Sequence, residues 1–206
     1  MAVKFTELES QCRQIINDVK NGNFVPVYLL MGTEPYYPDL VCDEIIKYAL
    51  TDSERDFNQT VFYGLDTDAG TVASECRSYP MMAERRLVVL KEAQSMKTLE
   101  DLATYASDPM ESTVLVILMH GASADKRRAL YKNVQKKGVV LVSDALRDYE
   151  MPQWITSFYK SRGLDIEPAA AALRIIAGRD IILLHEIKET SNRLRQRCLP
   201  SMPELT

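Results

Sequence analysis

VPVYLLMG, residues 25–32, is the segment that says most about the fold class of this chain. It is a short, continuously apolar run that ends on a glycine. A run of this kind is typical of a β-strand buried on both faces, as in a parallel sheet. Pro26 falls near the start of the strand, where a missing N–H costs no ladder bond. From Pro35 onward the apolar residues recur at helical spacing, so the segment predicts a strand, a loop led by Gly32 and a helix.

The same alternation continues along the chain. Four more apolar runs predict strands at residues 60–63, 86–90, 113–119 and 139–142. Helical patterns cover residues 6–20, 35–49, 71–79, 99–107 and 124–137. Five strands separated by helices imply right-handed crossovers and a parallel sheet covered on both faces. We therefore expect an α/β fold with a P-loop-like five-stranded parallel sheet and flanking helices.

The composition changes near Leu146. Beyond this point no strand is predicted, and three helices follow, the first of which carries Trp154 and Phe158. We expect two domains, an α/β domain at residues 1–145 and a small three-helix domain at residues 146–206.

Composition and charge exclude several classes of protein. The net charge of −4 argues against broad, nonspecific nucleic-acid binding. The four cysteines form no Cys-x-x-Cys pair, so neither a metal site nor a redox motif is predicted. The N-terminus lacks an apolar signal core, and no apolar run approaches the roughly 20 residues of a membrane helix. A cytoplasmic protein is expected, in which the glycosylation sequon at Asn58-Gln-Thr60 is a chance match.

The loop after the first strand has the context of a phosphate-binding loop without its residues. Counted from Gly32, the second glycine, the lysine and the hydroxyl residue of that pattern fall on Tyr37, Pro38 and Asp39. Tyrosine prevents close backbone approach, proline offers neither an ammonium group nor an N–H, and aspartate repels phosphate. Nucleotide affinity should be negligible, and no cofactor is expected. Whether the loop is a degenerate P-loop or only a turn stays open on the pattern alone.

Met81 and Met82 form the second candidate site. They lie between the helix predicted at residues 71–79 and the strand at 86–90, and Pro80 is expected to stop that helix. Apolar residues are less expected on a connection. Methionine is flexible and polarizable, which suits adaptable binding surfaces. The alternative is that both side chains fold back onto the core.

Two weaker signals leave their alternatives open. Six basic residues between Lys126 and Lys137 are predicted on one helix, as a solvated face or as a contact to nucleic acid. His120 follows the central strand, where it is either a ligand or a satisfied strand-end histidine. With two histidines far apart and no nucleophile motif, the sequence predicts no catalytic residue.

The order of these parts resembles the delta subunit family of the bacterial DNA polymerase III clamp loader. The resemblance rests on four segments: VYLLMGTEPY at 27–36, YPMMAERRLVVLKEA at 79–93, TVLVIL at 113–118 and MPQWIT at 151–156. It implies a degenerate AAA+-like α/β domain, a helical lid domain and a C-terminal collar domain. The collar is absent from these residues, so a truncated chain or a fragment is expected.

The resemblance also implies a function. Members of this family bind the ring-shaped sliding clamp (the beta subunit) and open one of its interfaces without hydrolysing ATP. Two adjacent apolar residues act as the wedge, and these positions fall on Met81 and Met82, framed by Tyr79, Pro80 and Ala83. The implied partners are the clamp, the gamma/tau and delta prime subunits of the loader, and DNA through the complex. The chain itself would be no enzyme, although it belongs to a nucleotidyltransferase holoenzyme.

Two other interpretations remain. One is a divergent P-loop nucleotide-binding enzyme with an unusual site near Gly32, Glu92 and His120. The other is a structural scaffold in which both methionines are buried.

Overall fold

The computed structural model describes residues 5–144 and the helical positions 156 and 160. By internal contacts the chain divides into two compact units, residues 1–146 and 147–206. Apart from positions 156 and 160, the three helices predicted beyond Leu146 and the predicted lid domain lie outside the described residues. Within the described part of the chain, no helix is long and apolar enough to span a bilayer.

Five strands and six α-helices make up the first unit. The strands are β1 (Val27–Gly32), β2 (Gln59–Tyr63), β3 (Arg86–Lys91), β4 (Thr113–His120) and β5 (Val139–Val142). The helices are α1 (Phe5–Lys20), α2 (Tyr36–Ala49), α3 (Asp52–Asn58), α4 (Ala69–Cys76), α5 (Leu102–Ser107) and α6 (Ala129–Lys137). Two 3₁₀ turns, Ala93–Ser95 and Leu99–Asp101, lie between β3 and α5.

All five strands pair in parallel, in the order β2-β3-β4-β1-β5. The predicted five-stranded parallel sheet is therefore confirmed. The chain leaves β1 for the distant edge strand β2 and then returns strand by strand to β4. It finally crosses over β1 to reach β5.

Helices cover the sheet on both faces, which explains why β1 and β4 read as unbroken apolar runs. One face packs with α4, α5 and α6 in a single core cluster that includes Leu29, Val88 and Ile117. The intervening residues, such as Leu30 and Val116, point the other way and are also fully buried. Helices α1 and α2 pack against each other, and α2 contacts β1 and β4. Because their buried residues are not part of the first cluster, they belong to the opposite face.

The structure corrects the predicted helices at three points. Helix α4 ends at Cys76, three residues earlier than expected, and the Thr113 hydroxyl donates a hydrogen bond to the Cys76 carbonyl at 2.8 Å. Helix α6 begins at Ala129 rather than Ala124. The Asp125 carboxylate accepts the Arg127 N–H at 2.9 Å and so stabilises a turn that competes with helix. Helix α3 is not predicted by the apolar pattern at all.

Candidate functional site

The sheet topology opens a crevice between β1 and β4. These strands are neighbours, yet α2 leaves β1 on one face and α6 follows β4 on the other. Open α/β sheets bind ligands at such a reversal, beyond the carboxyl ends of the strands. Gly32 ends β1 and His120 ends β4, so the loop with P-loop context lies at this crevice.

Gly32 serves the packing of the crevice itself. Its φ of +141° is a conformation that side-chain-bearing residues rarely adopt, and an added Cβ would lie 1.8 Å from the Ser143 carbonyl oxygen. Its N–H donates to the Ala122 carbonyl at 3.1 Å, and its carbonyl accepts the Gly121 N–H at 3.0 Å. The missing side chain therefore admits the backbone after β5, which takes the space next to the loop.

Glu34 occupies the start of α2. Its side chain is buried, and Oε1 accepts the Tyr36 N–H in the first turn of the helix at 3.1 Å. Burial raises the pKa of the Glu34 carboxyl, a rise that the Tyr36 N–H opposes and the Asp39 charge reinforces. A helix N-terminus is a natural phosphate site, and here a carboxyl group of the same loop is bound there.

The side chains at the three remaining positions of the phosphate-loop pattern are also buried or hydrogen-bonded within the fold. Tyr37 and Pro38 are buried in the first turn of α2. Asp39 accepts a hydrogen bond from Nε2 of His120 at 2.7 Å, across the gap between the strands. The backbone N–H of His120 donates to the side-chain oxygen Oε1 of Gln94 at 3.2 Å. His120 is thus a satisfied strand-end histidine, and the crevice presents carboxylates where a nucleotide needs cations.

Met81 and Met82 lie at the surface, on the connection between α4 and β3. Met82 is 98% exposed, Met81 57% and Tyr79 81%, whereas Pro80 and Ala83 are half-buried. The alternative in which both methionines pack on the core is therefore wrong. Exposed large apolar side chains clustered on one short connection are a feature of interaction sites.

The backbone of Met82 has φ +53°, in the left-handed region. This conformation is uncommon outside glycine, asparagine and aspartate, and it persists where surrounding contacts enforce it. The main chain of the preceding residue, Met81, supplies such contacts. Its N–H donates to Oδ1 of Asn58 at 2.6 Å, and its carbonyl accepts from Nδ2 of Asn58 at 2.9 Å.

Both ends of the connection are anchored as well. At the α4 end, the Thr113 hydroxyl holds the last helical carbonyl, that of Cys76. At the β3 end, the Arg86 guanidinium pairs with the Glu75 carboxylate, which also accepts the Thr60 hydroxyl at 2.8 Å. The Met81–Met82 connection is therefore an exposed segment on a well-anchored frame.

Sequence reasoning missed Asn58 and the helix that carries it. Thr51 and Glu54 have the spacing of a capping box, a signal that could have predicted α3. Asn58 itself carries no signal in the sequence beyond the chance sequon. Its side chain is fully buried, and Nδ2 makes a further bond to the Glu54 carbonyl at 3.0 Å, so both amide hydrogens are used.

The basic residues do not lie on one helix as predicted. Lys126 and Arg127 precede α6, and Arg128 is its N-cap. Arg127 forms an ion pair with Asp125 at 3.0 Å, and Arg128 lies 3.9 Å from Glu100. Among the described residues, no group of three or more histidine, cysteine or acidic side chains is arranged to hold a metal ion.

Comparisons with known proteins agree with this architecture. The sequence profile of the family "DNA polymerase III, delta subunit" matches residues 28–143, more than half of the chain. The DNA polymerase III subunit delta of Bacillus subtilis is 25% identical over 183 residues, which span 83% of this chain and 53% of that protein.

One solved structure supports the same fold. The Bacillus subtilis DNA clamp loader delta protein superimposes with a TM-score of 0.71 at 23% identity, over 89% of this chain and 57% of that one. A RuvB variant of Thermotoga maritima matches with a TM-score of 0.43 at 18% identity, over 82% of this chain and 55% of that one. The chain thus spans about half the length of the delta proteins it matches. Because the profile match covers more than half of the chain, the chain belongs to the DNA polymerase III delta subunit family.

Proposed function

We propose that this chain binds the sliding clamp of DNA polymerase III through the Met81–Met82 connection and does not hydrolyse ATP. Membership of the delta family supports the clamp as partner. In this role the chain acts in DNA replication, in the cytoplasm, as part of a clamp loader. The gamma/tau and delta prime subunits are its further proposed partners, with DNA reached through the complex.

The observation that carries the proposal is the exposure of Met82. A 98% exposed methionine, next to the 57% exposed Met81, has almost its whole apolar surface available for a partner. Burying a methionine side chain contributes about 1.5–3 kcal/mol. Two adjacent side chains can thus supply the centre of an interface, since a few central apolar anchors carry most of the binding energy.

The crevice supports the second half of the proposal. Glu34 and Asp39 bring two carboxyl groups to the positions where ATP would need positive charge and N–H donors. Each lost charge-assisted hydrogen bond to phosphate removes about 1.5–3 kcal/mol of affinity. The energy for clamp opening would then come from ATP bound by other subunits.

The experiment that tests clamp binding is a titration of the chain with the isolated sliding clamp. We expect Met81→Ala/Met82→Ala to weaken binding on the order of 1,000-fold, because central anchors cost about 2 kcal/mol or more each. Leu65→Ala is the matched control: Leu65 is 75% exposed and lies beyond the opposite end of β2 from Asn58. It should bind as the unsubstituted chain does.

Equal affinity of the double variant and the unsubstituted chain contradicts the assignment of Met81 and Met82. Equal losses for the double variant and Leu65→Ala point to general hydrophobic adhesion and also contradict it. Circular dichroism of each variant checks that the fold is retained.

A further inference from the structure

We infer that Asn58 is the positioning residue of the Met81–Met82 connection: its side-chain amide holds the main chain of Met81 and thereby sets the direction in which Met82 projects. This inference rests on the proposed function for its consequence in clamp binding. It also makes a claim about the free protein that stands without a partner.

The side-chain amide of Asn58 makes two hydrogen bonds to the main chain of Met81, an arrangement that we call the grip. Oδ1 of Asn58 accepts the Met81 N–H at 2.6 Å, and Nδ2 donates to the Met81 carbonyl at 2.9 Å. These two bonds join residues 23 positions apart in the chain. Two simultaneous bonds fix an orientation as well as a distance, as bidentate contacts do elsewhere.

The grip is itself held in place. The second hydrogen of Nδ2 is donated to the Glu54 carbonyl one turn back in α3, at 3.0 Å. This bond also determines which side-chain atom is nitrogen, since a carbonyl can only accept. Asn58 is fully buried although it is polar, and such a residue is retained where its hydrogen bonds are all made.

The consequence falls on the next residue, Met82, whose φ is +53°. The left-handed region is unfavourable for methionine, because Cβ there lies too close to the following carbonyl oxygen. Met82 would therefore leave this region if no surrounding contact enforced it. With the Met81 peptide held by Asn58, the chain has to turn at Met82 to reach β3. The 98% exposed side chain is thus presented in one direction instead of sampling many. Rigid presentation lowers the entropy lost when a partner binds.

The test is a double-mutant cycle with the full chain and the isolated sliding clamp. Asn58→Ala should weaken binding at least tenfold while Met81 and Met82 are present. In the Met81→Ala/Met82→Ala background the same substitution should change affinity less than twofold, because no side chain remains to be positioned. Asn133→Ala is the matched control, since Asn133 makes a comparable bond to the Ala103 carbonyl at 2.9 Å on α5, away from the connection. It should leave clamp affinity unchanged.

A second readout needs no partner. Amide hydrogen exchange at Met81 should be protected in the unsubstituted chain, and in Asn58→Ala it should speed up at least tenfold more than exchange in β1 and β4 does. Should Asn58→Ala fail to fold, Asn58→Ser serves in its place. Its hydroxyl can still bond the Glu54 carbonyl within α3 but is too short to grip Met81.

Several results overturn the inference. Unchanged clamp affinity in a folded Asn58 variant does so, as do equal losses in both methionine backgrounds or unchanged exchange at Met81. If the unsubstituted chain does not bind the clamp at all, the proposed function fails, and exchange at Met81 still decides whether Asn58 holds the connection.

Discussion

Asp39 and His120 are joined by a hydrogen bond of 2.7 Å across the mouth of the crevice between β1 and β4. Asp39 lies in the first turn of α2, and His120 is the last residue of β4. Because a carboxylate only accepts, Nε2 of His120 is the donor. The bond ties together α2 and β4, the two elements between which a nucleotide would enter.

We expect no saturable binding when ATP with Mg²⁺ is titrated into the chain up to millimolar concentration. Glu34 already binds the N–H of Tyr36 at the helix start, and Asp39 adds a second carboxylate. Isothermal calorimetry is the measurement, with the same titration into buffer as blank. Saturable heat that disappears in His120→Ala would instead establish the crevice as a nucleotide site and revive the enzyme hypothesis.

Gly32→Ala should cost about 3 kcal/mol or more of the free energy of unfolding, or prevent folding, because the new Cβ would meet the backbone oxygen of Ser143 at 1.8 Å. Gly22→Ala is the matched control. Gly22 also has positive φ, +79°, but nothing lies within 4 Å of an added Cβ. That change should cost only about 1 kcal/mol, for the left-handed backbone alone. Urea unfolding followed by circular dichroism compares the two, and equal costs would show that the approach of Ser143 is not tight.

The strands were predictable because burial on both faces leaves a direct trace in the sequence. Every residue of β1 is buried, so the run from Val27 to Met31 contains no polar residue to obscure it. Helix α3 left no such trace. Its seven residues, DSERDFN, carry no apolar stripe, and the helix depends on a capping interaction and on Asn58. The spacing of apolar residues predicts a helix that buries one face. It does not predict a helix that is stabilised by a few polar contacts.

The candidate site was predictable in part. Met81 and Met82 lie on a connection, as predicted, although α4 ends at Cys76 and not at Pro80 as expected. Their exposure and the left-handed backbone of Met82 could not be read from neighbouring residues, and neither could the bonds that Asn58, 23 positions away, makes to the main chain of Met81. The substituted P-loop positions, in contrast, were evident because each loss is a change of residue type. What the sequence could not supply was the hydrogen-bond partner of Asp39, namely His120.

Alkaline pH should destabilise the chain through its buried thiols. Burial raises the pKa of Cys12, Cys42 and Cys76 from an ordinary value of 9.0 to about 12. The folded state therefore keeps these protons between pH 9 and 12 while the unfolded state releases them, so the free energy of unfolding falls as pH rises. The slope is about 1.4 kcal/mol per pH unit for each thiol.

Urea unfolding at pH 8, 9, 10 and 11 measures this slope, which is reached in full above about pH 10, where the thiols of the unfolded chain are ionised. Cys42→Ala serves as the matched variant. It lowers stability at pH 8 by removing a buried side chain. Above pH 9 its free energy of unfolding should fall less steeply with pH than that of the unsubstituted chain, by the contribution of one thiol. Parallel declines in the two proteins would assign the alkaline loss to other groups.

Helix α3 should be sensitive to its N-terminal cap. The backbone N–H of Thr51 and its hydroxyl both donate to the Glu54 carboxylate, at 2.8 and 2.7 Å. These bonds lower the pKa of Glu54. The stabilisation that these bonds give to the folded state is therefore complete at pH values above the ordinary carboxyl pKa. It is lost as the pH falls through the lowered pKa of Glu54. Thr51→Ala should cost about 1 kcal/mol at pH 7, measured by urea unfolding, and the cost should shrink in acid.

The same change tests whether α3 supports the Met81–Met82 connection. Asp68→Ala removes a comparable cap from α4, where the Asp68 carboxylate accepts the Thr71 N–H at 2.9 Å. Both substitutions should lower global stability by a similar amount, because each removes a side-chain cap. Only Thr51→Ala should accelerate hydrogen exchange at the Met81 amide beyond that global effect, because α3 carries the side chain that binds this amide. Equal acceleration in both variants would mean that exchange at Met81 reports global opening, and that the short helix does not hold the connection by its own stability.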